Sequence, residues 1–348
     1  MSFDRRAIPA FLSIDVEPDA FQLTGEPGDH WPGYAAVCEF IADLRQAIAQ
    51  ASGVKPAFGW YFRTDPQIGQ VFGRADFALT AYPERVAALR EEGDYFGVHA
   101  HTLRWSETRR LWVHDFGDRQ WQRHCTQFAL DAFAAWNGAP AQLFRAGAGF
   151  LSNEIVDVLD TNGVAADLSL EPVDGRPAHA TWVGTAIDRS PMVGEFTNCM
   201  AAPKTPYRPS RADFLKADPA TTRRILMIPL SAGTIANAPR GRVAAIKRRL
   251  RQKLRSEPIR MLYPAGHWEA GFWNVVSHHL DAMQRPYLSL AIRTDSCGSL
   301  HQKRVFNVLR QLARHALVHR LRFINPLDVK DQLAPPRMPA TGDVAAVG

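Results

Sequence analysis

The chain has 348 residues, 46% of them hydrophobic and 22% charged, with a formal charge of +6. That is ordinary for a globular protein of one large α/β domain or two modest ones, and so mild a positive charge permits an acidic ligand without announcing nucleic acid. An uncharged stretch over residues 225–239 is interrupted by Pro229 and Pro239 and is too short to span a bilayer. Four cysteines, Cys38, Cys125, Cys199 and Cys297, show no Cys-x-x-Cys spacing, and the opening Met-Ser-Phe-Asp-Arg-Arg has no apolar signal region. Reduced thiols in a cytoplasmic protein are therefore expected.

In chain order, residues 8–14 form a strand-like apolar run, and residues 35–51 place Ala36, Phe40, Leu44 and Ile48 on one helical face. Residues 56–62 read as an aromatic strand and 83–92 as a helix stopped by Gly93, with a strand leading into His99. A long helical pattern covers 119–136, and a strand at 142–144 ends at Arg145. A helix over 153–161 and a strand over 164–170 follow. From 171 to 219 the pattern dissolves into Pro, Gly, Thr and Asp, as a long functional or covering loop would. Alternation resumes with a strand at 225–230, helices at 242–256 and 269–284, a strand at 287–292, a helix through Leu309 and a strand at 321–324. Residues 1–332 are thus expected to form one unit, and 333–348 a disordered tail.

Strands alternating with helices imply a parallel sheet with helices outside it, as a barrel or an open sheet, and ligands gather at the carboxyl ends of such strands. Asp15, Glu17, Arg63, His99, His101, Arg145 and Asp167 all fall there. On an extended strand positions i and i+2 share a face, so His99 pairs with His101 and Asp15 with Glu17. Two imidazoles and one carboxylate make the ligand set of a catalytic divalent metal, with the other carboxylate left as base.

Three segments resemble motifs of the polysaccharide deacetylase family (carbohydrate esterase family 4, NodB-like). Leu12-Ser13-Ile14-Asp15-Val16-Glu17 is similar to the first motif, and Glu92-Gly93-Asp94 through His99 to the lead-in of the second. Phe144-Arg145-Ala146-Gly147 through Asp167-Leu168-Ser169 is similar to the third. The resemblance implies a distorted (β/α) barrel of about seven strands that removes acetyl groups from N-acetyl sugars with a divalent metal. The chain departs from the common family form at three places. Leu103 stands where the second histidine is usual, so that His101 takes that role; Gly147 stands where proline is usual; and Arg293 stands where the last imidazole is usual.

On this reading Glu17, His99 and His101 hold a divalent ion, Zn²⁺ first and Co²⁺, Ni²⁺ or Mn²⁺ otherwise, while Asp15 is the base; exchange of Asp15 and Glu17 stays open. Asp19 is a third candidate beside them, with a turn residue after Pro18 as the favoured reading. The resemblance implies that Arg145 orients the base. Asp167 either completes that support or lines the substrate site, and Arg63 and Trp60, in the aromatic run 58–63, are candidates to contact a sugar. Arg293 is a poor acid and better suited to an oxyanion or an anionic substrate group; Asp295, His301 and His267 are other candidates for proton donor. The basic segment 240–260 reads as a solvated outer helix or as a contact with an anionic membrane face or a lipid-linked saccharide phosphate. The expected activity is that of a metal-dependent carbohydrate de-N-acetylase. The alternatives are a degenerate saccharide-binding member and a hydrolase of a non-sugar amide or ester. The oligomeric state is not indicated.

Overall fold

In the computed structural model the chain is described over residues 7–20, 22–23, 30–172, 192–195, 197, 199–218, 220–231, 234–235, 259–260, 269–281, 283–295 and 300–335. The strands are β1 (Ile8–Val16), β2 (Gly59–Arg63), β3 (Tyr95–Ala100), β4 (Leu103–Ser106), β5 (Leu111–Asp115), β6 (Leu143–Ala146) and β7 (Ala166–Asp167). They continue as β8 (Met192–Val193), β9 (Leu226–Met227), β10 (Thr234–Ile235), β11 (Ile259–Arg260), β12 (Leu288–Arg293) and β13 (Leu321–Phe323). The helices are α1 (Pro32–Ser52), α2 (Pro66–Phe72), α3 (Phe77–Ala81), α4 (Pro83–Glu91), α5 (Arg119–Asn137) and α6 (Asn153–Thr161). After them come α7 (Glu269–Asp281), α8 (Leu300–Arg314) and α9 (Pro326–Leu333).

The main sheet runs β12-β1-β2-β3-β6-β7-β9, with β13 beside the first half of β1, and every pairing in it is parallel. It curls until its edges meet: the Ser231 amide donates to the Ser289 carbonyl at 2.9 Å, and the Ser289 amide to Ser231 Oγ at 2.9 Å. The result is a distorted (β/α) barrel, the fold class expected. Strand alternation divides its core in two. Phe11, Tyr61, Tyr95, Leu143, Leu226, Ile228 and Tyr287 fill the interior, closed below by Val329 and Leu333 of α9. The alternate residues, among them Leu12, Ile14, Trp60, Phe62, Val98 and Phe144, pack outward with Val37, Phe40, Ile41, Leu44 and Ile48 of α1 and with α5. Burying β1 on both faces is why it reads as a continuous apolar run.

Several elements differ from the sequence expectation. Between His101 and α5 lies the antiparallel hairpin β4–β5, joined in parallel to β8. Its turn contains no Gly, Asn or Pro, and Arg110 takes the left-handed conformation at φ 50°. Of the strand expected over 225–230, Leu226–Met227 form β9, and the Ile228 and Leu230 amides continue the pairing by donating to the Asp167 and Leu170 carbonyls at 2.8 Å each. Part of the expected loop 171–219 folds back on it, with Tyr207 and Met227 exchanging backbone hydrogen bonds of 3.1 and 2.8 Å. The expected helix over 242–256, His267 and the tail beyond 335 lie outside the described residues.

Candidate functional site

The carboxyl ends of β1, β2, β3, β6 and β12 converge at one mouth of the barrel. Register makes this unavoidable: Arg63, His99 and Arg145 are aligned across β2, β3 and β6, and Asp15 is aligned with Arg293. Parallel partners share a face, and here it is the inner one. Glu17 follows β1 and is fixed by Thr294, whose hydroxyl receives the Glu17 amide at 2.8 Å and donates to the Glu17 carbonyl at 2.8 Å.

Asp15 and Arg145 form one half of the site. Arg145 donates through Nε to Asp15 Oδ1 at 2.6 Å and through a terminal nitrogen to Oδ2 at 3.0 Å, a bidentate pair that fixes the carboxylate plane. Its other terminal nitrogen donates to the Leu168 carbonyl. That carbonyl is held by the Asp-x-Ser turn: Asp167 accepts from the Ser169 amide at 3.0 Å and from its hydroxyl at 2.6 Å, while Ser169 Oγ accepts from the Ala146 amide at 2.6 Å. Asp167 is aligned with Phe144 and Met227, on the outward face. It is fully buried, and burial pushes its carboxyl up to about 6.

Glu17, His99 and His101 form the other half. His99 Nδ1 lies 3.0 Å from the Arg145 carbonyl oxygen, an acceptor only, so Nδ1 is the donor there and Nε2 faces inward. That Nε2 is 3.1 Å from His101 Nε2 and 3.4 Å from Glu17 Oε1, and His101 Nε2 is 3.1 Å from Glu17 Oε2. Burial and the Arg63 charge hold the His101 imidazole well below its ordinary pKa. For Glu17 burial acts upward, but Arg293 and the two imidazoles outweigh it and keep the carboxyl well below its usual range. The three side chains are buried, with ligand atoms within 4.8 Å of one another. Two imidazole nitrogens and a carboxylate oxygen turned toward one another form a pocket that a shared cation would fill. Two imidazoles and a carboxylate are the donor set of catalytic sites that keep an open coordination position, so these residues fit a divalent ion.

Two local features set this arrangement. The His101 amide donates to Asp65 Oδ2 at 3.0 Å, so the backbone stays extended past β3 and His101 falls on the same face as His99. The His101 ring then lies over Gly147: a Cβ there would stand 2.1 Å from its Cδ2 and 2.4 Å from its Nε2. Glu17 faces Nε2 of both imidazoles, whereas Asp15 is gripped by Arg145 and stands 3.8 Å from His99 Nδ1.

Of three residues expected to contact substrate, Trp60 and Asp167 are placed elsewhere, and Arg63 is buried beneath the site. Trp60 is fully buried on the outward face, its indole donating to Asp94 at 2.7 Å, because it is one residue out of phase with Tyr61 and Arg63. Asp167 belongs to the turn that holds Arg145 in place. Arg63 is fully buried, paired with Asp65 at 2.5 and 2.9 Å and donating to Gln67 Oε1 at 2.6 Å, and it faces Glu17 from inside the barrel. Arg293, with 23% of its side chain exposed, contacts Glu17 Oε1 through Nε at 3.1 Å and pairs with Asp295. Asp19 accepts from the Gly33 amide at the start of α1, as a turn residue would. The backbone of His301 lies in α8. Sequence reasoning missed His114 of β5. Its ring centroid is 5.4 Å from that of His101, and burial pushes its pKa down to about 3. Its signal, an imidazole at the end of the apolar run Leu111-Trp112-Val113, was hidden by the unrecognised hairpin.

No family model and no curated protein matches the chain in sequence. Among solved structures it is similar to the "putative glycoside hydrolase/deacetylase" of Parabacteroides distasonis, with a TM-score of 0.52 and 11% identity over 91% of this chain and 69% of that one. It also aligns with the "putative polysaccharide deacetylase" of Mycobacterium smegmatis, at a TM-score of 0.49 and 11% identity over 99% of this chain and 98% of that one. At such identities the likeness is one of fold, the distorted (β/α) barrel shared with the Parabacteroides distasonis structure.

Proposed function

We propose that the protein is a metal-dependent hydrolase that removes N-acetyl groups from an N-acetyl sugar or saccharide. The observation that carries this is the pairing of two separate buried units at one barrel mouth, Glu17–His99–His101 and Asp15–Arg145. A divalent ion, Zn²⁺ first among Co²⁺, Ni²⁺ and Mn²⁺, held by the first unit would polarise an acyl carbonyl and acidify a water toward a pKa of about 7.

The chain's own residues supply the remainder. Asp15, oriented by both oxygens on Arg145, is the base that takes the proton of the attacking water. His99, its proton fixed on Nδ1 by the Arg145 carbonyl, presents Nε2 inward, so one residue orders both halves of the site. Arg293 at the rim keeps a guanidinium beside the reacting centre; it cannot serve as the acid for the leaving amine. The carbohydrate substrate rests on the fold likeness and the motif resemblance.

Among the described residues Cys38, Cys125 and Cys199 are free thiols. Among the described residues no helix is long and apolar enough to cross a membrane. The proposed anionic-membrane contact at 240–260 falls almost wholly outside the described residues.

Bound metal in purified wild-type protein, beside a His99→Ala/His101→Ala double variant, is the direct test, followed by acetate release from N-acetylglucosamine oligosaccharides. Stoichiometric metal lost in the variant, with acetate release that needs Asp15, supports the proposal. A wild type that takes up no divalent metal when it is supplied overturns it, and metal with tight saccharide binding but no acetate favours a binding role.

A further inference from the structure

The Glu17 carboxylate sits between two guanidinium groups. Arg293 reaches Oε1 through Nε at 3.1 Å, and Arg63 places a terminal nitrogen 3.9 Å from Oε2. They differ in how they are committed. Arg63 is fully buried and neutralised by Asp65, which grips it through two contacts. Arg293 divides itself between Glu17 and Asp295, and its side chain is 23% exposed. It comes from the end of β12, the seam strand aligned with β1, so its backbone is fixed opposite Asp15 while its head reaches the carboxylate two residues on.

We infer that Arg293 is a positioning residue for the metal site: an internal counter-cation that holds Glu17 in the metal-free protein and competes with the divalent ion for it. The inference rests on the metal-site reading above. A cation brought to Glu17, His99 and His101 meets a carboxylate whose charge is already partly answered, and it must approach a fixed positive charge in a site screened from water. Both effects weaken binding, since nearby like charges interact strongly where water is excluded. Asp295 gives Arg293 a second partner to keep when Glu17 is drawn toward the ion. The outcome is a site tuned to moderate affinity and ready exchange of its metal, with Glu17 kept charged and oriented in the interval.

The test is Zn²⁺ affinity of the full chain, measured by competition with a chromophoric chelator. Arg293→Met, close in length and uncharged, is expected to bind at least about tenfold more tightly than wild type, equivalent to roughly 1.4 kcal/mol. Arg293→Lys, which keeps the charge, should stay within about threefold of wild type. In a Glu17→Gln background the Arg293→Met gain should shrink without vanishing, because the pair it relieves is gone while the repulsion between guanidinium and ion remains. Wild-type binding with no gain in Arg293→Met overturns this inference and leaves the metal site standing; so does an Arg293→Lys variant that binds about tenfold more tightly than wild type although it keeps the charge, which keeps the test open should the methionine variant fail to fold. Binding by neither wild type nor any variant overturns both.

Discussion

Replacing Gly147 by alanine tests the geometry of the site with one methyl group. Gly147 is absent from the residues at positive φ, so its backbone accepts a side chain and the substitution reads the contact alone. The new Cβ would stand 2.1, 2.2 and 2.4 Å from Cδ2, Cγ and Nε2 of His101. Ordinary carbon contact is at roughly 3.5 Å, so the ring must retreat by more than about 1 Å. It has little room, being 1% exposed and in contact with Glu17, His99 and His114. Overpacking of this kind costs about 1–3 kcal/mol, read as a shift in the urea midpoint at unchanged slope. In a His101→Ala background the same substitution should be close to neutral, giving a coupling of about 1–3 kcal/mol between the positions. Zn²⁺ affinity should fall by more than about tenfold in Gly147→Ala alone, since a ligand displaced by that distance no longer meets the other two. A substitution that is harmless in the wild type, or equally costly without the imidazole, would mean that the His101 ring does not lie over residue 147.

Two further predictions concern the support beneath the base. Burial raises the Asp167 carboxyl from 3.8 to about 6, so the fold favours its protonated form; the associated stabilisation, about 3 kcal/mol, is present below about pH 4 and lost as pH rises through 6. Asp167→Asn should flatten the unfolding free energy between pH 4 and 7, and an unchanged slope over that window refutes the assignment. Arg145→Met leaves Asp15 buried without its partner and should cost about 3–5 kcal/mol in urea unfolding. Arg145→Lys should recover only part of it, because an ammonium cannot bridge both oxygens; full recovery would show that the bidentate geometry is immaterial.

The strand and helix order was legible where one physical signal acted alone. The α6 range was readable to the residue because Ser152 caps it and Asn162-Gly163 ends it, and the site-bearing strand ends followed from period-two alternation. Parity decides the misplacements. If Arg63 points inward, Trp60 must point outward, and counting from Arg63 would have removed it from the sugar-contact candidates. Asp167 was harder, since its strand pairs over two residues only and its face is set by neighbours on β6 and β9. The β4–β5 hairpin turns without glycine, asparagine or proline, which left His114 without a context. The ion pairs of Arg63 with Asp65 and of Arg293 with Glu17 are tertiary choices among several acids close in sequence or space.

The places where the chain departs from the motifs it resembles are physically linked. Asp65 caps α2 through the Gln67 amide at 3.1 Å and also receives the His101 amide, so the start of a helix after β2 keeps the backbone after β3 extended. An extended backbone brings the second imidazole inward two residues after the first. Position 103 is thereby released from ligand duty, and Leu103 is buried opposite His114 in the hairpin. The earlier imidazole occupies the space above residue 147, which excludes a ring or even a methyl group there and accounts for glycine where proline is usual. Leu103 and Gly147 then both follow from the one backbone path that brings the three donors together. Arg293 stands apart from that chain of causes: it contacts the carboxylate rather than the imidazoles, so it alters the charge of the site without altering its shape.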